Sequence, residues 1–255
     1  MGSNPAGRTN PATIWTGPKA AALESTSLAA RTTLLLRGAP DIARSWLFAP
    51  RLAGHVEPLV LLCAGGLAYG AAMGAWRGPL LGAYVALKLP LLLVLTALFN
   101  AAVNGLFARH LGLELGFAQS LRAVLLSFGV AALVLGSLAP VFLFFDLALP
   151  GHDSERARLG HDVLGLSHVV LIAIAGTAAV LRQKRWLSEV FPGSPAGLRV
   201  VLAWLAVNLL VGAQLSWNLR PWFGTPGLEI EFLREDALRG SFYESVYKMV
   251  LHQLS

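Results

Sequence analysis

The sequence predicts an all-α fold: a polytopic membrane helical bundle of about five transmembrane helices, with an amphipathic helix towards each end. Three observations predict it. Hydrophobic residues make up 55% of the 255 positions and charged residues only 13%, roughly half the charged share of a water-soluble domain. Five stretches, 59–76, 80–107, 123–149, 163–181 and 200–217, are apolar and mostly free of charge, and about 18 such residues carry a helix across the hydrocarbon. These stretches are continuous Leu, Ala and Val runs without the alternation of a barrel strand, so helices must satisfy the backbone in lipid.

Residues 1–26 are rich in Gly, Pro, Ala, Ser and Thr with no apolar period, which predicts a flexible cytoplasmic tail. Met1-Gly2 opens like a myristoylation site, but Ala6 stands where that motif has Ser or Thr. No signal-peptide core precedes the first apolar stretch, so span 1 is expected to direct insertion itself. In residues 27–55, Leu28, Leu34, Leu35, Leu36, Ile42 and Trp46 are interleaved with Arg31, Arg37 and Arg44. That pattern predicts a basic amphipathic segment on the inner leaflet, broken near Gly38-Ala39-Pro40.

Residues 56–220 are expected to hold the five spans. Span 1 carries Gly66, Gly70 and Gly74 at four-residue spacing, a stripe that lets another helix, most simply one of the same chain, approach closely. Span 2 carries Lys88 and Pro90, then Asn100 and Asn104, which share a face. Span 3 has Gly136, Ser137 and Pro140, expected to bend it, and Asp146 at its far end. Span 4 begins with Asp162 and His168. Span 5 carries Gln214 and should stop near Arg220, because Pro221 lacks a backbone donor and Gly224-Thr225-Pro226-Gly227 turns the chain. Trp217 and Trp222 then belong at headgroup depth, and Arg220 is placed for a lipid phosphate, a helix-end carbonyl or Asp146. Residues 221–255 read as an extracytoplasmic tail. Within it Phe242, Tyr243, Val246, Tyr247, Val250 and Leu251 predict a helix over 241–254 with this face towards bundle or lipid.

Charge sets the expected orientation. Arg8, Lys19, Arg31, Arg37, Arg44, Arg51, Arg109, Arg122, Arg182, Lys184, Arg185 and Arg199 all fall before span 1 or in alternate links. The short links on the other side hold Arg77 after span 1 and mainly Asp153, Glu155 and Asp162 after span 3. Cytoplasmic loops collect Lys and Arg, so the amino end is expected inside and the carboxyl end outside. The formal charge of +6 is spread along membrane ends rather than gathered in a patch, which argues against nucleic acid as a partner.

In that topology Lys88, Asp146, His168, Gln214 and Arg220 lie in the outer half of the membrane or at its edge, with Asn100 and Asn104 deeper in span 2. One expectation is a site or vestibule lined by these residues, with Lys88 paired to Asp146; the other is snorkelling ends and one ion pair that fixes the bundle. Either way Lys88 should meet Asp146 or another acceptor. Catalytic residues are not assigned: HExxH, GxxxxGK[ST], GxSxG and CxxC motifs are all missing. His152, His161, Asp162 and His168 follow no metal-ligand spacing, so neither metal nor cofactor is expected, and the lone Cys63 excludes an intrachain disulfide.

Ala86-Leu87-Lys88-Leu89-Pro90-Leu91, Leu138-Ala139-Pro140 with Phe144-Phe145, and Val211-Gly212-Ala213-Gln214-Leu215-Ser216-Trp217-Asn218-Leu219-Arg220-Pro221-Trp222 resemble an uncharacterised family of bacterial integral membrane proteins. The likeness covers about residues 30–250, and its GAQ…W..LRP segment is the most specific part; Trp222 replaces the usual phenylalanine. It implies a bacterial cytoplasmic membrane and no activity. Five spans with the amino end inside also resemble, in topology alone, Yip-type trafficking proteins, which are scaffolds and adaptors. Short loops and missing catalytic motifs lead to the expectation of a non-enzymatic membrane scaffold or assembly subunit. Its partners would be the lipid bilayer and another protein or a second copy. The alternative is a small homo-oligomeric channel or transporter, and the lack of a visible inverted repeat disfavours a single-chain transporter.

Overall fold

The computed structural model of the chain describes residues 26–37, 39–47, 53–110, 116–190 and 196–254. Of the tail expected over 1–26 all but residue 26 lies outside them, as does Gly38; the break expected near Gly38-Ala39-Pro40 falls between the helices that end at Leu36 and start at Pro40. The described residues form eight helices and no strand: α1 Leu28–Leu36, α2 Pro40–Leu47, α3 Ala53–Ala75, α4 Pro79–His110, α5 Phe117–Ala148, α6 Ala157–Val190, α7 Ala196–Asn218 and α8 Phe242–Leu254. Helices α3 to α7 are long and apolar enough to cross a membrane. The all-α, five-span architecture is the one the apolar runs predict.

Local chemistry sets the ends. Ser27 caps α1 by accepting from Ala30 N at 3.3 Å. Gly78 takes φ +122 in the turn after α3, a conformation that strains any residue with a Cβ, and Pro79 opens α4 where its missing N–H costs nothing. Helices α5 and α6 run for 32 and 34 residues, about 50 Å each at 1.5 Å per residue, so they outreach the hydrocarbon. The apolar run of span 4 stops near 181, yet α6 continues to Val190 because Gln183, Trp186 and Leu187 are buried.

Helix α3 is the axis. The most apolar 18-residue stretch of α3 is 56% buried, against 11% for α7. Gly66, Gly70 and Gly74 all face the antiparallel α4: a Cβ would stand 3.1 Å from the Pro90 ring, 2.6 Å from Val85 O and 2.7 Å from Leu81 O. A second face meets the parallel α5, where Gly136 would place a Cβ 2.9 Å from Gly65 Cα, and a Cβ on Gly65 would collide with the Ala132 carbonyl. Close backbone approach is what small residues supply where hydrophobic burial gives helices in lipid no preference for one another.

Each end of the bundle carries a cap. On the amino-terminal face, Leu35, Ile42 and Trp46 of α1 and α2 pack with Leu61, Leu126, Val130, Ala179 and Trp186. Arg182 donates to Leu35 O at 3.0 Å and Arg122 to Leu47 O at 3.0 Å, and Arg31 pairs with Glu57. The amphipathic segment thus packs over the helix ends. On the carboxyl-terminal face the chain leaves α7, turns at Gly224 (φ +70) and Gly227 (φ +80), and folds back over α4 before α8 packs on α6 and α7. The six apolar residues expected to face bundle or lipid on α8 divide: Phe242 and Val246 are half-buried, whereas Tyr243, Tyr247, Val250 and Leu251 are exposed. It is Met249 that reaches the bundle, packing over Gly165.

Candidate functional site

The carboxyl-terminal face gathers most of the polar residues singled out above, but it distributes them among separate contacts. Lys88 is completely buried; its Nζ donates to Pro221 O at 3.0 Å and lies 5.0 Å from the centre of the Phe232 ring. Phe232 in turn packs edge-on against Tyr84. The expected Lys88–Asp146 pair is therefore absent. Lys88 points to the returning 221–240 loop, where a main-chain carbonyl fills the role foreseen for a carboxylate.

Asp146 is buried at the end of α5, and neither carboxylate oxygen has a hydrogen-bond partner among the described residues. The Tyr69 hydroxyl and His168 Nδ1 meet at 2.6 Å, and the His168 ring is enclosed by Phe142 at 4.5 Å and Phe223 at 5.0 Å. His168 Nε2 is buried without a partner. Deeper in the bundle Asn100 Nδ2 donates to Asn208 Oδ1, tying α4 to α7. Asn104 belongs to α4, and its side chain lies outside the described residues. Gln214 is exposed, and its side-chain amide meets that of Asn218 at 3.1 Å. Among the described residues, Lys88, Asn100, His168 and Gln214 each make a separate contact.

Arg220 is the most heavily bonded of the set. Helix α7 ends at Asn218, and just beyond it the Arg220 guanidinium donates to Trp217 O at 3.2 Å, Ala237 O at 3.0 Å, Asp236 O at 2.7 Å and Arg239 O at 3.3 Å. It also pairs with the Asp236 carboxylate at 3.0 Å and stacks 4.1 Å from the centre of the Trp217 ring. Of the three partners expected for it, the helix-end carbonyl is the one found. Trp217 Nε1 donates to Arg239 O at 2.5 Å and Trp222 Nε1 to Ser216 O at 2.7 Å, so both indoles fasten the loop.

Beside this clamp lies a cavity of about 460 Å³, lined by α6, the end of α7, residues 236–240 and α8, within the size range of small-ligand sites. Of the expected site residues only Arg220 lines it. Sequence reading missed the others that matter here: Arg158, Arg239, Lys248 and His252. Nothing in the sequence brings Arg158 and Arg239, about 80 residues apart, to one wall. Asp162 at its edge is buried between His161 Nδ1 at 3.0 Å and His252 Nδ1 at 2.5 Å. Lys248 pairs with Glu244 at 2.7 Å and holds that carboxyl below its ordinary value.

Five helices able to cross a membrane and a lipid-compatible surface of exposed Leu, Ile, Val and Phe define an integral membrane protein by length and composition. No family model, no curated protein and no solved structure matches the chain.

Proposed function

We propose that the protein is a non-enzymatic scaffold or subunit of a larger assembly in a bacterial cytoplasmic membrane, with its amino-terminal face in the cytoplasm. One observation carries this. The cations a pore would use are engaged on main-chain carbonyls: Arg77 on Leu228 O at 2.8 Å, Lys88 on Pro221 O, Arg122 on Leu47 O, Arg182 on Leu35 O and Arg220 on four carbonyls. Each fastens a cap or loop to the bundle, which supports a rigid platform better than a conduction path. The lateral surface for an integral partner or a second copy is the sparsely covered α7, where Leu202, Leu209 and Leu210 are exposed.

The channel or transporter alternative draws on one observation of its own, the buried Asp146 carboxylate, which has no hydrogen-bond partner among the described residues. Ionisable groups held inside a membrane mark ion and proton pathways. Two measurements separate the readings. Crosslinking in native membranes should yield a discrete species larger than the 27.1 kDa chain, and vesicles reconstituted with pure protein should show no more proton or potassium flux than empty ones. Flux that disappears in Asp146→Asn would instead establish the conducting protein.

A further inference from the structure

We propose that the cavity on the carboxyl-terminal face binds a phosphate group, presented either by an anionic phospholipid headgroup or by a free phosphate. Four cations line it: Arg158, Arg220, Arg239 and Lys248. The three carboxylates on its wall are already engaged, Asp162 by two histidines, Asp236 by Arg220 and Glu244 by Lys248. The Arg158 and Arg239 side chains have no partner among the described residues, and both are exposed. Two guanidinium groups without counter-ions, on the wall of one concavity, present paired donors in the geometry that phosphate oxygens accept. Arg158 stands in the first turn of α6, and Gly240, Glu244 and Ser245 of the wall surround the start of α8, so the positive ends of two helix dipoles add to the field.

The cavity's position says how a lipid would lie. It sits where α6 begins and α7 ends, at one face of the bundle, where phosphates of one leaflet collect. The Tyr243 hydroxyl reaches Leu209 O at 3.4 Å, which joins α8 to the apolar outer face of α7. Exposed Leu209, Leu210, Tyr243 and Tyr247 thus continue outward from the polar wall and would receive acyl chains. A free phosphate would use the guanidinium groups and leave this apolar continuation idle.

The test compares the whole protein with an Arg158→Gln/Arg239→Gln double variant. Both side chains are exposed and unbonded, so folding should be unaffected and circular dichroism should be unchanged. Delipidated protein is offered dioleoyl phosphatidylglycerol and its retention is read by native mass spectrometry. Inorganic phosphate is titrated separately, with the heat of binding as readout. Phosphatidylglycerol affinity that falls about tenfold per guanidinium removed assigns the lipid headgroup. A phosphate response lost in the variant, with lipid retention unchanged, assigns the free ion. Lipid retention and phosphate response that are both the same in the two proteins would overturn the proposal.

Discussion

Arg220 and Lys88 both hold carbonyls of the carboxyl-terminal loop, yet chemistry separates what each contributes. The planar Arg220 fork reaches four carbonyls, one carboxylate and an indole face at once, a geometry that a single ammonium cannot reproduce. Arg220→Lys should therefore cost about 2–3 kcal/mol in a reversible detergent-unfolding titration, the scale of lost hydrogen bonds to a charged group. Lys88 is different, since one carbonyl and one ring face are a thin return for a completely buried ammonium. Desolvation of such a charge commonly exceeds what its partners give back, so an apolar replacement of similar size is often neutral. Lys88→Met should leave stability within about 1 kcal/mol while hastening tryptic cleavage at Arg234 and Arg239, because the loop loses the bond that fixes its position. A loss as large as that of Arg220→Lys would show that Lys88 stabilises the bundle outright. Nothing in the sequence shows that the returning loop brings the Pro221 carbonyl, rather than Asp146, to the Lys88 ammonium.

At the scale of elements, glycines grade the helix contacts. Gly70 would place a Cβ 2.6 Å from Val85 O, a backbone atom that cannot yield cheaply, whereas Gly212 meets only the Thr96 side chain at 3.6 Å. Gly70→Ala should then destabilise by about 1–3 kcal/mol through overpacking. Gly212→Ala should be neutral or stabilise by up to about 1 kcal/mol through helix propensity. The order of the two in the same unfolding titration is the check, and an inverted order would mean that α3 and α4 relax apart without cost. The existence and order of the spans were legible because each apolar run is long and uninterrupted. Their ends were not. An apolar run reports contact with lipid, and Trp186 of α6 is buried instead against Leu35, Ile42 and Trp46 of α1 and α2, about 150 residues earlier in the chain. On α8 the apolar period was legible, but not which residue meets the notch left by Gly165: that is Met249, outside the set the period picks out.

For the whole molecule, an odd number of alternating spans carries the strongest consequence. Contacts fix the relative directions: α3 runs antiparallel to α4, with Gly66 against Pro90 and Gly74 against Leu81, and parallel to α5, with Pro58 near Gly129 and Gly65 near Gly136. Asn100 with Asn208 and Lys88 with Pro221 set α7 antiparallel to α4. The α1–α2 cap and the loop–α8 cap consequently lie on opposite faces of the bundle. That much was predictable from five runs in sequence; the carboxyl-terminal cavity was not, because its walls come from residues 158, 220, 239 and 248, which only the return of the 221–240 loop brings together. Arg122 and Arg182, on the α1–α2 side, belong to the twelve basic residues that the sequence places on alternate links, and such residues remain in the cytoplasm during insertion. A fluorescent protein fused before Ser3 should then fold in the cytoplasm and glow. Alkaline phosphatase fused after Ser255 should be active, since it acquires its disulfides only outside. Exchange of the two outcomes would invert the orientation while preserving the bundle. Activity of the same reporter at both ends would require an even number of crossings, and one of α3 to α7 would have to lie along the membrane rather than through it.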